Sequence, residues 1–209
     1  MKLPKIISYY TDGRNDWYIK CAKELEEQCK LFNFDYYIEK KQSLGNYDVN
    51  CKIKPKFVME CLDKFKCPLI FLDIDATLTG NIPEELYDIQ KYDIAIAKCN
   101  GIKRTQEEEN NILKNIKNPL LPRSIYIRDV FIFFNYNEKS YNFLKTWDNI
   151  CLKNKQSDHC CLNATVCQQI DNTNIKILPE HVNIAYGNNT YPKEKTFCYY
   201  RVSGALYNK

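Results

Sequence analysis

Two aspartates at the end of an apolar run are the residues of this chain best suited to chemistry. The segment PLIFLDIDATLTG places Asp73 and Asp75 directly after that run, with Thr77 and Thr79 close behind. Alternate residues of an extended strand point to the same side, so the two carboxylates can converge on one ligand. A carboxylate buried at a strand end costs free energy unless a positive group meets it. The pair therefore predicts a bound cation or a reactive carboxylate, against the plainer alternative of two solvated acids.

The elements that position these aspartates follow from an alternation of apolar runs and amphipathic segments, which indicates an α/β fold. The continuous apolar run predicts that PLIFLDID is a fully buried strand, and the polar, glycine-containing SLGNYDVNCKI is predicted to be a loop. Further strands are predicted at Lys5–Thr11, Phe34–Lys40 and Tyr92–Lys98, in Ser124–Asn135 (one or two strands), in IKILPEHVNIAYG (a strand running into a loop) and at FCYY. Helices are predicted in DWYIKCAKELEEQCKLF with Asp16 as N-cap, KPKFVMECLDKF with Pro55 in its first turn, IPEELYDIQ, NGIKRTQEEENNILKNIKN, EKSYNFLKTWDNICLKN and SDHCCLNATVCQQI.

The composition argues against several classes of protein. The chain has 209 residues, of which 44% are hydrophobic and 27% charged, as in ordinary globular domains. A net charge of +4 without a basic block gives no reason to expect a nucleic-acid partner. No segment reaches the roughly 20 apolar residues of a membrane span. Eleven cysteines, odd in number and irregularly spaced, favour free thiols in a reducing compartment, so we expect a cytoplasmic protein.

The aspartate segment resembles one family by its spelling. DIDATLT matches the D-x-D-x-T-[LV] signature of the haloacid dehalogenase (HAD) superfamily of phosphatases. That resemblance implies that Asp73 is a nucleophile, that Asp75 is a general acid and that Thr77 belongs to a phosphate loop. Such enzymes also need a second acidic pair to complete a Mg²⁺ site. No later apolar strand of this sequence ends in such a pair, which argues against a phosphatase.

The whole chain resembles a second family, the GT-A-type nucleotide-diphospho-sugar transferases. Four stretches carry the likeness: IISYYT, KIKPKFVMECLDKFKCPLIFLDIDA, IFFNYNEKSYNFLKTW, and SDHCCLNATV followed by ILPEHVN. The resemblance implies a single domain over residues 1–209 with a central mixed, mostly parallel sheet flanked by helices. Its nucleotide-binding part would be about 1–100 and its acceptor-side part about 101–209. The implied reaction moves a sugar from a UDP- or GDP-linked donor to a glycan or other hydroxyl acceptor.

The same resemblance implies a role for individual residues. Asp73 and Asp75 would hold Mn²⁺ or Mg²⁺ on the donor diphosphate, because a metal neutralises the charge that develops on this leaving group. Asp158 would face the sugar and acceptor, as the candidate base if the reaction inverts the anomeric centre. The implied donor-binding residues are Tyr9, Tyr10 and Thr11 for base and ribose, Lys54 for the phosphates, and Asp73, Asp129 and Arg201.

Three departures from the family pattern leave room for a catalytically degenerate nucleotide-sugar-binding module. His159 stands where the family has glutamine after the acid, and Asp129 lies near a position that is often glycine. The late histidine that often completes the metal site is missing, and Arg201 or Lys209 could neutralise diphosphate in its place. His181 falls where the family has no ligand, so we predict a structural role for it.

Overall fold

The structure, a computed structural model, describes residues 3–11, 16–98, 127–155, 157–185 and 195–200. Nine strands lie within these ranges: β1 Lys5–Thr11, β2 Tyr36–Lys41, β3 Leu69–Leu72, β4 Ala76–Leu78, β5 Ile94–Lys98, β6 Ile127–Phe134, β7 Ile175–Leu178, β8 Asn183–Ala185 and β9 Cys198–Tyr200. The helices there are α1 Trp17–Leu31, α2 Tyr47–Lys52, α3 Lys54–Phe65, α4 Glu138–Lys153 and α5 Asp158–Gln169. Short 3₁₀ turns occupy Glu84–Leu86, Ile89–Lys91 and Glu180–Val182.

The main sheet has six strands in the order β2-β1-β3-β6-β5-β7. Strand β6 runs antiparallel to both neighbours, β3 and β5, whereas the other pairs are parallel. The predicted mixed, mostly parallel sheet flanked by helices is therefore confirmed. Because β6 lies between β3 and β5, strands from both predicted parts of the chain share one sheet. The remaining strands form a small second sheet in the order β4-β9-β8.

Alternation along the strands divides the core between the two faces of the main sheet. Ile7 and Phe71 face one cluster of buried residues, which α3, α4 and α5 complete, with Trp147 among its largest members. Ile6 and Ile70 face the other cluster, which α1 and the second sheet complete. The continuous apolar run of β3 therefore reflects a strand that is covered on both faces.

Helix boundaries agree with the sequence signals at several points. Lys54 and Pro55 open α3, as a proline in the first turn predicts, and the Asn137 side chain caps α4 by accepting a hydrogen bond from Ser140 N at 2.9 Å. Asp16 precedes α1 as predicted, but it has a left-handed backbone and makes no side-chain cap. The predicted helix at IPEELYDIQ is instead two 3₁₀ turns.

Two predictions around the aspartates were wrong. SLGNYDVNCKI contains helix α2, which begins after Asn46, whose side chain accepts a hydrogen bond from Val49 N at 2.8 Å. The buried strand β3 ends at Leu72, so it does not include the aspartates. Asp73 begins a turn in which its carbonyl accepts a hydrogen bond from Ala76 N at 2.9 Å. The two carboxylates are therefore not alternate residues of one extended strand.

The remaining predictions concern segments outside the described residues, the cysteines and membrane spans. The helix predicted in NGIKRTQEEENNILKNIKN and the residues Arg201, Ser203 and Lys209 lie outside the described residues. No disulfide joins the cysteines that lie within the described ranges. Among the described helices, none has the length and apolar character needed to cross a membrane.

Candidate active site

One edge of the main sheet gathers acidic and basic side chains from four elements. The carboxyl ends of β1 and β3 meet there because the two strands are parallel. The antiparallel β6 begins at the same edge, and Asp73 N donates a hydrogen bond to Val130 O of that strand at 3.0 Å. Helices α3 and α5 contribute their first residues, Lys54 and Asp158. This edge therefore brings together residues that lie far apart in the sequence.

Lys54 is at the centre of the group, which we call the Lys54 cluster: Lys54, Asp73, Asp129 and Asp158. Its ammonium lies 2.8 Å from Asp73 Oδ1 and 2.8 Å from Asp158 Oδ2, and it also forms a short ion pair with Asp129 Oδ2. The side chain of Lys54 is 6% exposed, whereas that of Asp73 is 25% exposed. Asp73 is thus the most open acid of the cluster, and Lys54 is its buried counter-ion.

The protonation states follow from burial and proximity. Burial alone would lower the pKa of Lys54, but the three carboxylates raise it well above its ordinary value, so the ammonium stays charged. Burial and then the charge of Asp158 raise the pKa of Asp129 well above its usual range. Burial would also raise the pKa of Asp158, but Lys54 and hydrogen bonds from neighbouring groups lower it well below that range. Of these two coupled carboxyls, Asp129 therefore holds a proton more readily and Asp158 loses one more readily.

His159 adds a second positive charge beside Asp158. Its Nδ1 lies 3.8 Å from Asp158 Oδ1, and its Nε2 lies 3.2 Å from Ser157 Oγ. Burial alone would lower the pKa of His159, but the neighbouring side chains of Asp158 and Cys160 raise it to about 10. The histidine in place of the family's glutamine is therefore an imidazolium at neutral pH, so the departure changes the charge as well as the shape.

A cleft opens beside the cluster. Tyr9, Tyr10 and Thr11 at the end of β1 line it, together with Asp73 and Asp75. Residues of the segment Ser43–Cys51, which we call the cleft wall and which includes most of α2, also line it. Tyr9 is buried, and its hydroxyl donates a hydrogen bond to Asn50 O in the wall at 2.7 Å. The cleft is therefore bounded by a rigid strand end, an acidic turn and a short exposed helix.

Comparison with protein families identifies the chain. The family described as nucleotide-diphospho-sugar transferase matches residues 16–202. The chain belongs to this family. In fold, this transferase resembles a glycosyltransferase involved in the glycosylation of the major capsid of PBCV-1, whose crystal structure aligns with a TM-score of 0.67 at 11% identity. That alignment covers 95% of this chain and 92% of the viral chain. A search of curated proteins gave no match.

The structure of the transferase brings together most of the residues predicted for its site. Lys54 forms ion pairs with Asp73, Asp158 and Asp129. Asp129 reaches Lys54 from inside β6, so it does not mark a chain turn. Asp75 lines the cleft with Asp73 but across a turn. Tyr9, Tyr10 and Thr11 also line the cleft as predicted. The roles of all these residues stay predictions.

Sequence reasoning missed two features of the site. The first is the cleft wall, where Asn46 followed by Asp48 in the first helical turn was a signal for a helix start. The second is the acidic surroundings of Asp73. A second acidic pair was expected only at the end of a later strand. Asp129 instead lies near the beginning of β6 and Asp158 at the beginning of α5, and both form ion pairs with the lysine that also pairs with Asp73. The family match, and not a lack of nearby acids, separates the transferase from the phosphatase.

A metal ion has two possible ligand sets in the transferase. Among the described residues, Asp129, Asp158 and His159 form a cluster whose ligand atoms all lie within 4.8 Å of one another. Asp73 and Asp75 form the second set, at the cleft. His181 belongs to neither: its Nε2 lies 2.7 Å from Glu85 Oε1, in keeping with the structural role predicted for it.

Proposed function

We propose that this transferase moves a sugar from a UDP- or GDP-linked donor to a hydroxyl acceptor, with the donor in the cleft between β1 and the cleft wall. The observation that carries the proposal is the Lys54 cluster, which lies at the sheet edge where open α/β sheets bind ligands. Tyr9, Tyr10 and Thr11 would contact base and ribose, and Asp73 would reach towards the ribose and phosphates. Arg201 stays a proposed donor contact from the sequence alone.

We assign the metal to Asp73 and Asp75. Carboxylate oxygens suit Mn²⁺ and Mg²⁺, and both side chains line the cleft in which the donor would bind. The other set is less suited, because a metal-binding histidine must be neutral and His159 has a pKa of about 10. When bound, the cation would neutralise charge on the diphosphate leaving group.

The chain's own residues divide the remaining work. Lys54 holds Asp73, Asp129 and Asp158 in one arrangement, so the acidic face of the site exists before any substrate enters. Asp158 is ionised, as a group that accepts a proton from an acceptor hydroxyl must be. We propose Asp158 as the residue that binds this hydroxyl, and as the base if the anomeric centre is inverted. Asp129, buried behind it, keeps the carboxylate of Asp158 oriented.

Calorimetry with UDP and with GDP tests the proposal most directly. In MnCl₂ one of the two is expected to bind, and EDTA is expected to weaken that binding by at least about tenfold, since the cation links diphosphate to carboxylate. Asp75→Asn is expected to reproduce the effect of EDTA, whereas Asp171→Asn, an exposed control, is not. If neither nucleotide binds under either condition, the proposed function is wrong.

Two further assays separate the alternatives. Hydrolysis of UDP-glucose or GDP-mannose without acceptor would distinguish an enzyme from a nucleotide-sugar-binding module. Turnover of p-nitrophenyl phosphate that Asp73→Asn abolishes and that UDP and GDP leave unchanged would support the phosphatase instead. From the odd number and irregular spacing of the cysteines we also propose that the protein works in a reducing compartment, as expected for the cytoplasm.

A further inference from the structure

The cleft wall is held in place by polar contacts that converge on one side chain. No residue of α2, all six of which the structure describes, is buried. A helix this short is marginal without tertiary packing, and segments with few buried contacts open easily. Something other than apolar packing must therefore keep the wall against the cleft.

Asn50 supplies those contacts. Its Oδ1 accepts a hydrogen bond from Leu44 N at 2.7 Å, and its Nδ2 donates to Ser43 Oγ at 3.1 Å. The same amide nitrogen lies 3.5 Å from Thr11 Oγ1, at the end of β1. One side chain thus links residues within the wall and connects the wall to the end of β1, which also lines the cleft.

Tyr47 is the aromatic residue that the wall presents at this cleft. It lines the cleft, its residue surface is 46% exposed, and its hydroxyl hydrogen-bonds with Cys51 one turn further along α2. Tyr9, on β1, is buried, and its hydroxyl donates a hydrogen bond to Asn50 O of the wall. An exposed aromatic ring at a nucleotide cleft offers a stacking surface for a base.

We propose that Asn50 is a positioning residue that fixes the cleft wall so that Tyr47 stacks on the base of the nucleotide. The inference rests on the proposed function and extends it to the recognition of the base. Asn50 acts through Tyr47, so the two side chains contribute to one interaction. Neither residue takes part in the sugar transfer itself.

Hydrogen exchange tests, without any nucleotide, whether Asn50 fixes the cleft wall. In Asn50→Ala the backbone carbonyl that accepts from Tyr9 remains, so the variant removes the side-chain contacts alone. Peptides covering residues 43–50 are expected to exchange at least about tenfold faster than in the wild type, whereas the rest of the chain is unchanged. Asn142→Ala, an exposed asparagine on α4, serves as the matched control. Unchanged exchange in the wall of Asn50→Ala overturns the inference, whatever the nucleotide result.

A double-mutant cycle tests whether Asn50 acts through Tyr47 in binding the nucleotide. With UDP or GDP, whichever binds the wild type, Asn50→Ala and Tyr47→Ala are each expected to weaken Kd about tenfold, and Tyr47→Phe to leave it unchanged. The double variant is expected to lose about tenfold, not about a hundredfold, because both changes remove the same contact. In donor turnover, KM should rise while kcat stays near the wild-type value.

The outcomes distinguish this inference from the proposed function. If the wild type binds a nucleotide and Asn50→Ala binds it equally well, the positioning role is wrong and the proposed function stands. Losses that multiply to about a hundredfold show that Asn50 does not act through Tyr47, which also overturns it. If the wild type binds neither nucleotide, the proposed function fails and base recognition by the wall fails with it.

Discussion

The Lys54 cluster and the cleft wall border the same cleft but are stabilised in opposite ways. The cluster is centred on the buried Lys54, and its four ionisable side chains come from the ends of four different elements. The wall is exposed, consists of one continuous segment and depends on hydrogen bonds within it and to the end of β1. Burial strengthens each electrostatic interaction and raises the cost of breaking it. The cluster should therefore be essential to the fold, whereas the wall should be locally adjustable.

The largest expected effect comes from removing the cation of the cluster. Lys54→Met leaves the three acids of the cluster without their buried counter-ion, and breaking a buried ion pair in this way costs about 3–5 kcal/mol. We expect the free energy of unfolding, measured in urea, to fall by that order and transfer activity to be lost. Lys56→Met, on the exposed side of the same helix, is the control. A stable Lys54→Met variant would show that the carboxylates take up protons freely, and the contrast with the wall would disappear.

Asp73→Asn changes the chemistry of the cluster with little change of shape. The amide removes a negative oxygen from the proposed metal site, and loss of one such electrostatic contact typically lowers kcat by about 10²–10³-fold. We expect a loss of this size in donor hydrolysis, with Asp171→Asn unchanged. Activity within about threefold of the wild type would exclude Asp73 as a metal ligand.

Tyr9→Phe affects the connection between the two regions. The hydroxyl of Tyr9 joins β1 to the wall through Asn50 O at 2.7 Å, and a hydrogen bond of this kind contributes about 1 kcal/mol. We expect urea unfolding to report a loss of about that size, against none for Tyr87→Phe, which is exposed. An effect as small as that of the control would mean that the wall is held independently of β1.

The smallest global effect is expected within the wall. Gly45 has φ +97°, a conformation that L side chains rarely adopt, although a Cβ atom added there would meet no other atom within 4 Å. Gly45→Ala should therefore strain the backbone locally and speed hydrogen exchange in residues 43–50. Because the wall can open without the core, the global free energy of unfolding should change by less than about 0.5 kcal/mol. A larger global loss would show that the wall folds cooperatively with the sheet.

The two regions also differ in how well the sequence predicted them. Asp73 was recognisable because a continuous apolar run ends there. Lys54 was recognisable only because the family resemblance implies a lysine for the phosphates at this position. The polar residues of the wall have no helical periodicity, and their pattern therefore predicts a loop. Its helix depends on a cap at Asn46 and on contacts made by Asn50, and a six-residue helix shows little pattern. Local polar contacts of this kind leave a weak signal in a single sequence.

The sequence by itself determined the α/β class, the buried strand before the aspartates and the residue types of the site. Only the tertiary structure decided which acids surround Lys54. Asp129 lies 75 positions away in the chain, and it reaches Lys54 because β6 inserts antiparallel between β3 and β5. That insertion brings the beginning of β6, instead of its end, to the edge where β3 terminates. Strand order is set by packing across the whole sheet, and no local spacing of residues encodes it.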